Sequence, residues 1–235
     1  MVCVNQSKDD RFKRRCLEEQ HAIKKFYLES VLLFKGELEP AKVHLKSAIK
    51  YNEKLKHTPS LPLSYSWFAL ASGLAGDLAT GCRYAEKALK IQSDTGYNFL
   101  GSIGWFCLGA CLAESGEFEA AGRKLEKGLE ISREKHERVS EGAILIWLGR
   151  ILGQSITPQK DRAAESILLG IEISKGLSHR PDEAVGYLFL AELYANQDRK
   201  DLTLGYLKKS MALFEEMEMQ YWPDKAQKMF ASLQK

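Results

Sequence analysis

Two cysteines near the middle of the chain are the residues whose type and spacing could most readily support chemistry. Cys107 and Cys111 are four residues apart, so on a helix both thiols would face the same side and could begin a metal site. A tetrahedral site needs two more ligands, and the five histidines fall in separate segments without metal-motif spacing. Cys82 would have to combine with a distant histidine to complete the set. We therefore interpret Cys107 and Cys111 as small buried apolar residues and predict no bound metal.

Three neighbouring glycines, Gly96, Gly101 and Gly104, resemble a phosphate-binding loop only in composition. Such a loop is followed by Gly-Lys-Ser or Gly-Lys-Thr and preceded by a strand, and the sequence shows neither. It also contains no hydrolase or kinase motif and no defensible pair of catalytic carboxylates. The sequence predicts a non-catalytic protein that needs no cofactor. An enzyme that uses an unrecognised site is the alternative.

The overall composition is that of a globular protein. The 235 residues are 45% hydrophobic and 28% charged, and the net charge is only +3, which gives no reason to expect nucleic acid as the partner. No apolar run approaches the ~18 residues that cross a bilayer, and the N-terminus lacks the apolar core of a secretory signal. Five cysteines, an odd number, favour a reducing compartment. We expect a cytoplasmic protein without a membrane partner.

Residues 1–18 differ from the rest of the chain because they are polar and basic. We interpret them as a solvated lead-in. A nucleic-acid contact is the alternative, but no aromatic residues alternate with the basic ones to form a stacking platform.

The remainder of the chain repeats itself about every 40 residues. Two columns of residues show this independently, and both are satisfied if the fourth unit has two extra residues in its turn. The small residues of the second segments are Ala48, Ala88, Gly128, Gly170 and Ser210, and the anchor positions of the first segments are Leu28, Phe68, Leu108, Leu148 and Leu190. Such regular spacing predicts a repeat protein of five units.

Each unit has the pattern of two amphipathic helices joined by a turn, because apolar residues recur at helical spacing and glycine or polar residues interrupt them. No long alternation of period two indicates a sheet. We predict an all-α solenoid of five helix-turn-helix repeats plus a C-terminal capping helix laid over the last hairpin. The predicted hairpins span about 19–58, 59–96, 97–138, 139–179 and 180–220, and the cap spans 221–235.

The third unit resembles the tetratricopeptide-repeat (TPR) pattern. Its matching residues are Trp105, Leu108, Gly109 and Leu112, followed by Ala121, Leu125 and Gly128. The closing proline of that family is missing from every unit, and the period exceeds the usual ~34 residues. A HEAT-like solenoid is therefore an alternative. The spacing of the Leu-Gly pair and of the alanine favours the TPR fold. Long repeats of this kind are similar to the C-terminal arrays of bacterial multidomain signalling ATPases, nucleotide cyclases and transcription activators.

The resemblance implies a right-handed superhelix whose concave face is lined by the first helix of each pair. The expected partner-binding groove residues are Phe26, Phe34, Leu70, Leu74, Phe106, Ile146, Arg150, Gln154, Glu192 and Asn196. The simpler interpretation of each is helix-to-helix packing. The groove predicts a protein-interaction module for an apolar or amphipathic peptide or helical segment. The alternative is a regulatory or sensor tail of a larger signalling ATPase, nucleotide cyclase or transcription activator, whose ligand would be other domains of the same parent protein.

Overall fold

The computed structural model describes residues 30–55, 60–96, 99–155, 157 and 159–233, and all regular structure within them is helical. The predicted lead-in (1–18) and the beginning of the first hairpin lie outside these residues. Residues 30–35 form the first described helical segment, α1. The helices that follow are α2 (Leu38–Leu55), α3 (Leu61–Leu74), α4 (Leu78–Thr95), α5 (Ser102–Glu114), α6 (Phe118–Glu134), α7 (Arg138–Gln154), α8 (Lys160–Gly176), α9 (Arg180–Ala195), α10 (Lys200–Glu216) and α11 (Tyr221–Leu233).

The helices pair into five hairpins arranged in two layers, which confirms the predicted all-α solenoid. The first helices contact one another in series, α3 with α5, α5 with α7, and α7 with α9. Each second helix packs on its own first helix and on the first helix of the following hairpin. The first helices therefore form an inner layer and the second helices an outer layer. Within the described residues, no helix is both long and apolar enough to cross a membrane.

Glycines in the left-handed conformation close the first three hairpins. They are Gly36, Gly76 and Gly116, with φ of 79°, 90° and 81°. After Gly116 the amide of Glu117 donates to the carbonyl of Leu112 at 2.9 Å, which satisfies a free carbonyl at the helix end. The corresponding bond in the fourth hairpin runs from Gln159 to Leu152 at 3.0 Å. That turn is two residues longer, as the offset in the sequence predicts.

Glycines inside the first helices permit the close approach of paired helices. A Cβ on Gly149 of α7 would lie 2.5 Å from Cγ1 of Ile167 and 2.6 Å from the carbonyl oxygen of Ala163, both in α8. A Cβ on Gly109 of α5 would lie 2.5 Å from Cγ of Leu125 in α6. Both partner side chains are fully buried. Any larger residue at these positions would force the two layers apart.

Helix α11 is not limited to covering the last hairpin. It packs on α10, and its side chains also reach the inner-layer helices α5, α7 and α9. The terminal helix therefore lies across the concave side of the solenoid.

Candidate partner-binding groove

The concave surface is the candidate site, and the structure places the predicted groove residues along the inner layer. They are Phe34 in α1, Leu70 and Leu74 in α3, Phe106 in α5, Ile146, Arg150 and Gln154 in α7, Glu192 in α9 and Asn196 directly after it. Phe26 lies outside the described residues. Asn196 is exposed, whereas Phe34, Leu74, Gln154 and Glu192 are half-buried.

Three of the apolar groove residues are buried where they stand. Ile146 is only 1% exposed and lies against Gly170 of α8 and Gly186 of α9, so its observed contacts are those of interhelix packing. Leu70 and Phe106 are buried as well.

An aromatic cluster joins α11 to the inner layer. Trp222 of α11 contacts Phe189 of α9 and Trp147 of α7, with ring centroids 5.8 Å and 6.4 Å apart, and Trp147 also contacts Phe106 of α5 at 6.2 Å. All of these rings meet edge to face, the arrangement that aromatic quadrupoles favour. Trp222 is 7% exposed. This indole is therefore the main apolar anchor of α11 in the groove.

A half-buried charge cluster lies beside the aromatic rings. Arg150 donates to Glu114 of α5 at 2.5 Å and to Glu192 of α9 at 3.0 Å, and it bridges three hairpins. Lys225 of α11 pairs with the second carboxylate oxygen of Glu114 at 3.2 Å. The guanidinium also lies 4.4 Å from the centroid of the Phe189 ring, a cation–π distance. The two acidic and two basic groups balance only because α11 supplies Lys225.

The pKa shifts in this cluster favour the ionised state. Burial acts to raise the pKa of Glu114, but the charges of Arg150 and Lys225 outweigh it and hold that pKa below its usual value. Burial acts to lower the pKa of Arg150, and the two carboxylates Glu192 and Glu114 raise it overall. The carboxylate of Glu114 and the guanidinium of Arg150 are therefore both ionised at neutral pH.

The first and fifth hairpins meet where α11 begins. The amide of Gln220 donates to the carbonyl of Lys35 at 2.7 Å, and the ammonium of Lys35 pairs with Glu218 at 3.1 Å. Phe34 contacts the imidazole of His179 at the start of α9, with ring centroids 5.3 Å apart. The inner layer therefore curves until its ends touch, with α11 enclosed on the concave side.

Sequence reasoning missed the aromatic anchors of this site. The residue directly before each anchor position could have indicated these aromatic residues, because it is aromatic in three of the last four units. These residues are Trp67, Cys107, Trp147 and Phe189. On α11, Trp222 and Lys225 are three residues apart and share one side of the helix. Pairing them with Glu114, at a sequence separation of 111 residues, had no signal in the repeat pattern.

The cysteines form no metal centre in the described residues, where no group of three metal-binding side chains occurs. Cys107 and Cys111 are buried free thiols in α5. The Sγ of Cys111 donates to the carbonyl oxygen of Ala69 in α3 at 3.5 Å. Its contact with the thiol of Cys82 in α4 lowers the pKa of Cys82. The same contact and burial raise the pKa of Cys111. Burial also raises the pKa of Cys107. The contact joins neighbouring hairpins one helical turn before Glu114 in α5.

Comparison with known proteins yields structural likeness only. No protein family model matches the chain, and no curated protein sequence matches it. Among solved structures, BtubC from P. vanneervenii matches with a TM-score of 0.62 at 18% identity over 83% of this chain and 81% of that one. The apo form of RapI matches with a TM-score of 0.58 at 18% identity, over 83% of this chain and 71% of that one.

A third structure is a signal transduction ATPase with numerous domains from Pyrococcus horikoshii, which carries a tetratricopeptide repeat sensor. It matches with a TM-score of 0.56 at 20% identity over 88% of this chain, which spans only 32% of that protein. Identities this low establish the fold alone. The chain thus has the tetratricopeptide-repeat fold that its third unit predicts.

Proposed function

We propose that this chain is a non-catalytic interaction module that binds a peptide or helical segment in its concave groove. The observation that carries the proposal is that the groove already holds an amphipathic helix, α11, through an apolar anchor and an ion pair. A helix lying in an apolar groove is a recurring mode of peptide recognition.

The open part of the groove supports this function. A shallow depression adjoins the aromatic and charge clusters and is lined by Arg150, Gln154, Phe189, Glu192 and Asn196. It combines a ring face with amide and carboxylate groups. Such mixed surfaces fix the orientation of a bound segment while burying its apolar side.

The described cysteines, Cys82, Cys107 and Cys111, carry free thiols. Free thiols support a reducing compartment such as the cytoplasm. A protein partner in that compartment is the simplest ligand for a groove in which two acidic and two basic side chains balance.

A second candidate function is that of a regulatory or sensor segment in a larger signalling protein. The structural likeness to a signal transduction ATPase with a tetratricopeptide repeat sensor supports this alternative. In that case the groove would bind another domain of the same polypeptide rather than a separate protein.

Site-specific photo-crosslinking tests the proposal. A photoreactive amino acid replaces the exposed Asn196 on the groove rim, and the matched control replaces the exposed Glu126 of α6 in the outer layer. We expect protein adducts from position 196 alone, with the crosslinked segment having an amphipathic helical sequence. Adducts from both positions, or none from position 196, would contradict a groove-binding function. Adducts within one polypeptide would favour the second candidate.

A further inference from the structure

We infer that α11 occupies the place of the ligand, and that the ligand is an amphipathic helix with an aromatic residue followed three positions later by lysine or arginine. This inference rests on the proposed function and specifies both its partner and its regulation. The partner would displace α11 from the groove.

The aromatic requirement follows from the slot that holds Trp222. Its indole lies between the ring edges of Trp147 and Phe189 and is 7% exposed. Withdrawal of α11 would expose both rings on the concave surface. Exposed aromatic faces within a shaped pocket are where a binding partner contributes most of its affinity.

The basic requirement follows from the charge balance of the groove. Without Lys225, the carboxylates of Glu114 and Glu192 share the single guanidinium of Arg150, which leaves one uncompensated negative charge. The side chains of Glu114 and Glu192 are only 17% and 21% exposed, so water compensates poorly for the missing cation. A ligand that replaces α11 must therefore bring a positive charge beside its aromatic residue.

Helix α11 is attached in a way that permits its release. Its close backbone packing is with α10 and, at Tyr221, with Gly36 of the first hairpin, while its contacts with α5, α7 and α9 are made by long side chains. The hinge is the short segment 217–220, in which Glu218 adopts a φ of 53°. The ion pair between Lys35 and Glu218 is largely exposed, and such pairs stabilise weakly. Rotation at this hinge would break the hydrogen bond from the Gln220 amide to the Lys35 carbonyl and move Tyr221 away from Gly36. It would free the groove while the two helices of each hairpin stay paired.

A tethered occupant lowers the apparent affinity for any competing helix, because only the fraction of molecules with a vacant groove can bind. Weakening α11 must therefore strengthen binding of a ligand that resembles it.

The test uses a fluorescent synthetic peptide of residues 217–235 and the 235-residue chain. The receiving variant carries Trp222→Ala and Lys225→Gln, and the matched control carries Lys228→Ala at an exposed position of the same helix. We expect the peptide to bind the double variant about tenfold more tightly than the wild-type or control chain. Circular dichroism verifies that all three chains are folded.

Peptide variants test the two recognition elements separately. Trp222→Ala in the peptide should weaken binding to the double variant about tenfold or more, as for an aromatic hot spot. Lys225→Gln in the peptide should also weaken binding, and Glu114→Gln in the receiving chain should abolish that difference between the two peptides. Equal binding of the wild-type and both altered peptides would overturn the inference.

Amide hydrogen exchange of the wild-type chain provides a second measurement that needs no variant. If α11 leaves the groove, its amides exchange faster than those of α9. Equally slow exchange in both helices would overturn the inference. Dimerisation of the double variant without peptide would also overturn it, because a second copy of the chain would then be the occupant of the groove. Crosslinks from position 196 without peptide selectivity would leave the proposed function intact and reject only this inference.

Discussion

Helices α5 and α6 belong to one hairpin but stand in different environments. Helix α5 lies between α3, α4, α6 and α7, and Glu114 is its one charged residue. Helix α6 packs on α5 and α7 and carries charged residues over the rest of its surface. A charge in the outer layer is solvated at little cost, whereas a charge in the inner layer must be paired. The inner-layer charges of Glu114, Arg150 and Glu192 are paired with one another and with Lys225, and this cluster indicates a site.

The largest effect expected from this comparison is the loss of an inner-layer cation. Arg150→Met would leave Glu114 and Glu192 half-buried with Lys225 as their remaining cation, and we expect it to lower the free energy of unfolding by about 3 kcal/mol. The matched outer-layer change is Arg123→Met, which breaks a largely exposed pair with Glu119 and should cost less than about 0.5 kcal/mol. Urea denaturation measures both. Similar losses for the two variants would contradict the distinction between layers.

Adding a methyl group to a glycine should lower the free energy of unfolding in the inner layer and raise it in the outer layer. Gly149→Ala would place a Cβ within 2.6 Å of the Ala163 carbonyl oxygen. We expect this clash to outweigh the gain in helix propensity and to lower the free energy of unfolding by about 2 kcal/mol. At Gly122 of α6 a Cβ meets nothing within 4 Å, so Gly122→Ala should gain about 0.5–1 kcal/mol. Thermal denaturation distinguishes the two outcomes. If Gly149→Ala stabilised the protein, α7 and α8 could separate at no cost. That result would contradict their close packing at Gly149.

The outer layer could be predicted from the sequence because its helices are amphipathic. In α6 the apolar and small residues recur on one side, and the structure buries Ala121, Leu125 and Gly128 there. The inner helices are apolar on nearly every side, so their sequences do not indicate which side faces the groove. The predicted positions Arg150 and Glu192 did fall in one cluster, but Ile146 lies within the packing between helices.

The position of α11 could not be predicted for a different physical reason. Its contact with Glu114 depends on the curvature that accumulates from the third to the fifth hairpin, each of which contributes a small rotation. No local sequence pattern encodes that total rotation. The amphipathic cap was evident from Ala226, Met229 and Phe230, while the surface that it covers required the three-dimensional structure.

The central claim is that the inner surface holds a helix and can exchange it for another. Fluorine NMR of the full chain labelled with 5-fluorotryptophan tests it most directly, because Trp222 lies in the groove and Trp105 lies beside Lys124 of α6. Single tryptophan-to-phenylalanine variants assign the resonances. With saturating unlabelled 217–235 peptide, the account predicts that the Trp222 resonance moves to a solvent-exposed position while that of Trp105 stays in place. An unmoved Trp222, or a shift of Trp105 of the same size, would contradict it.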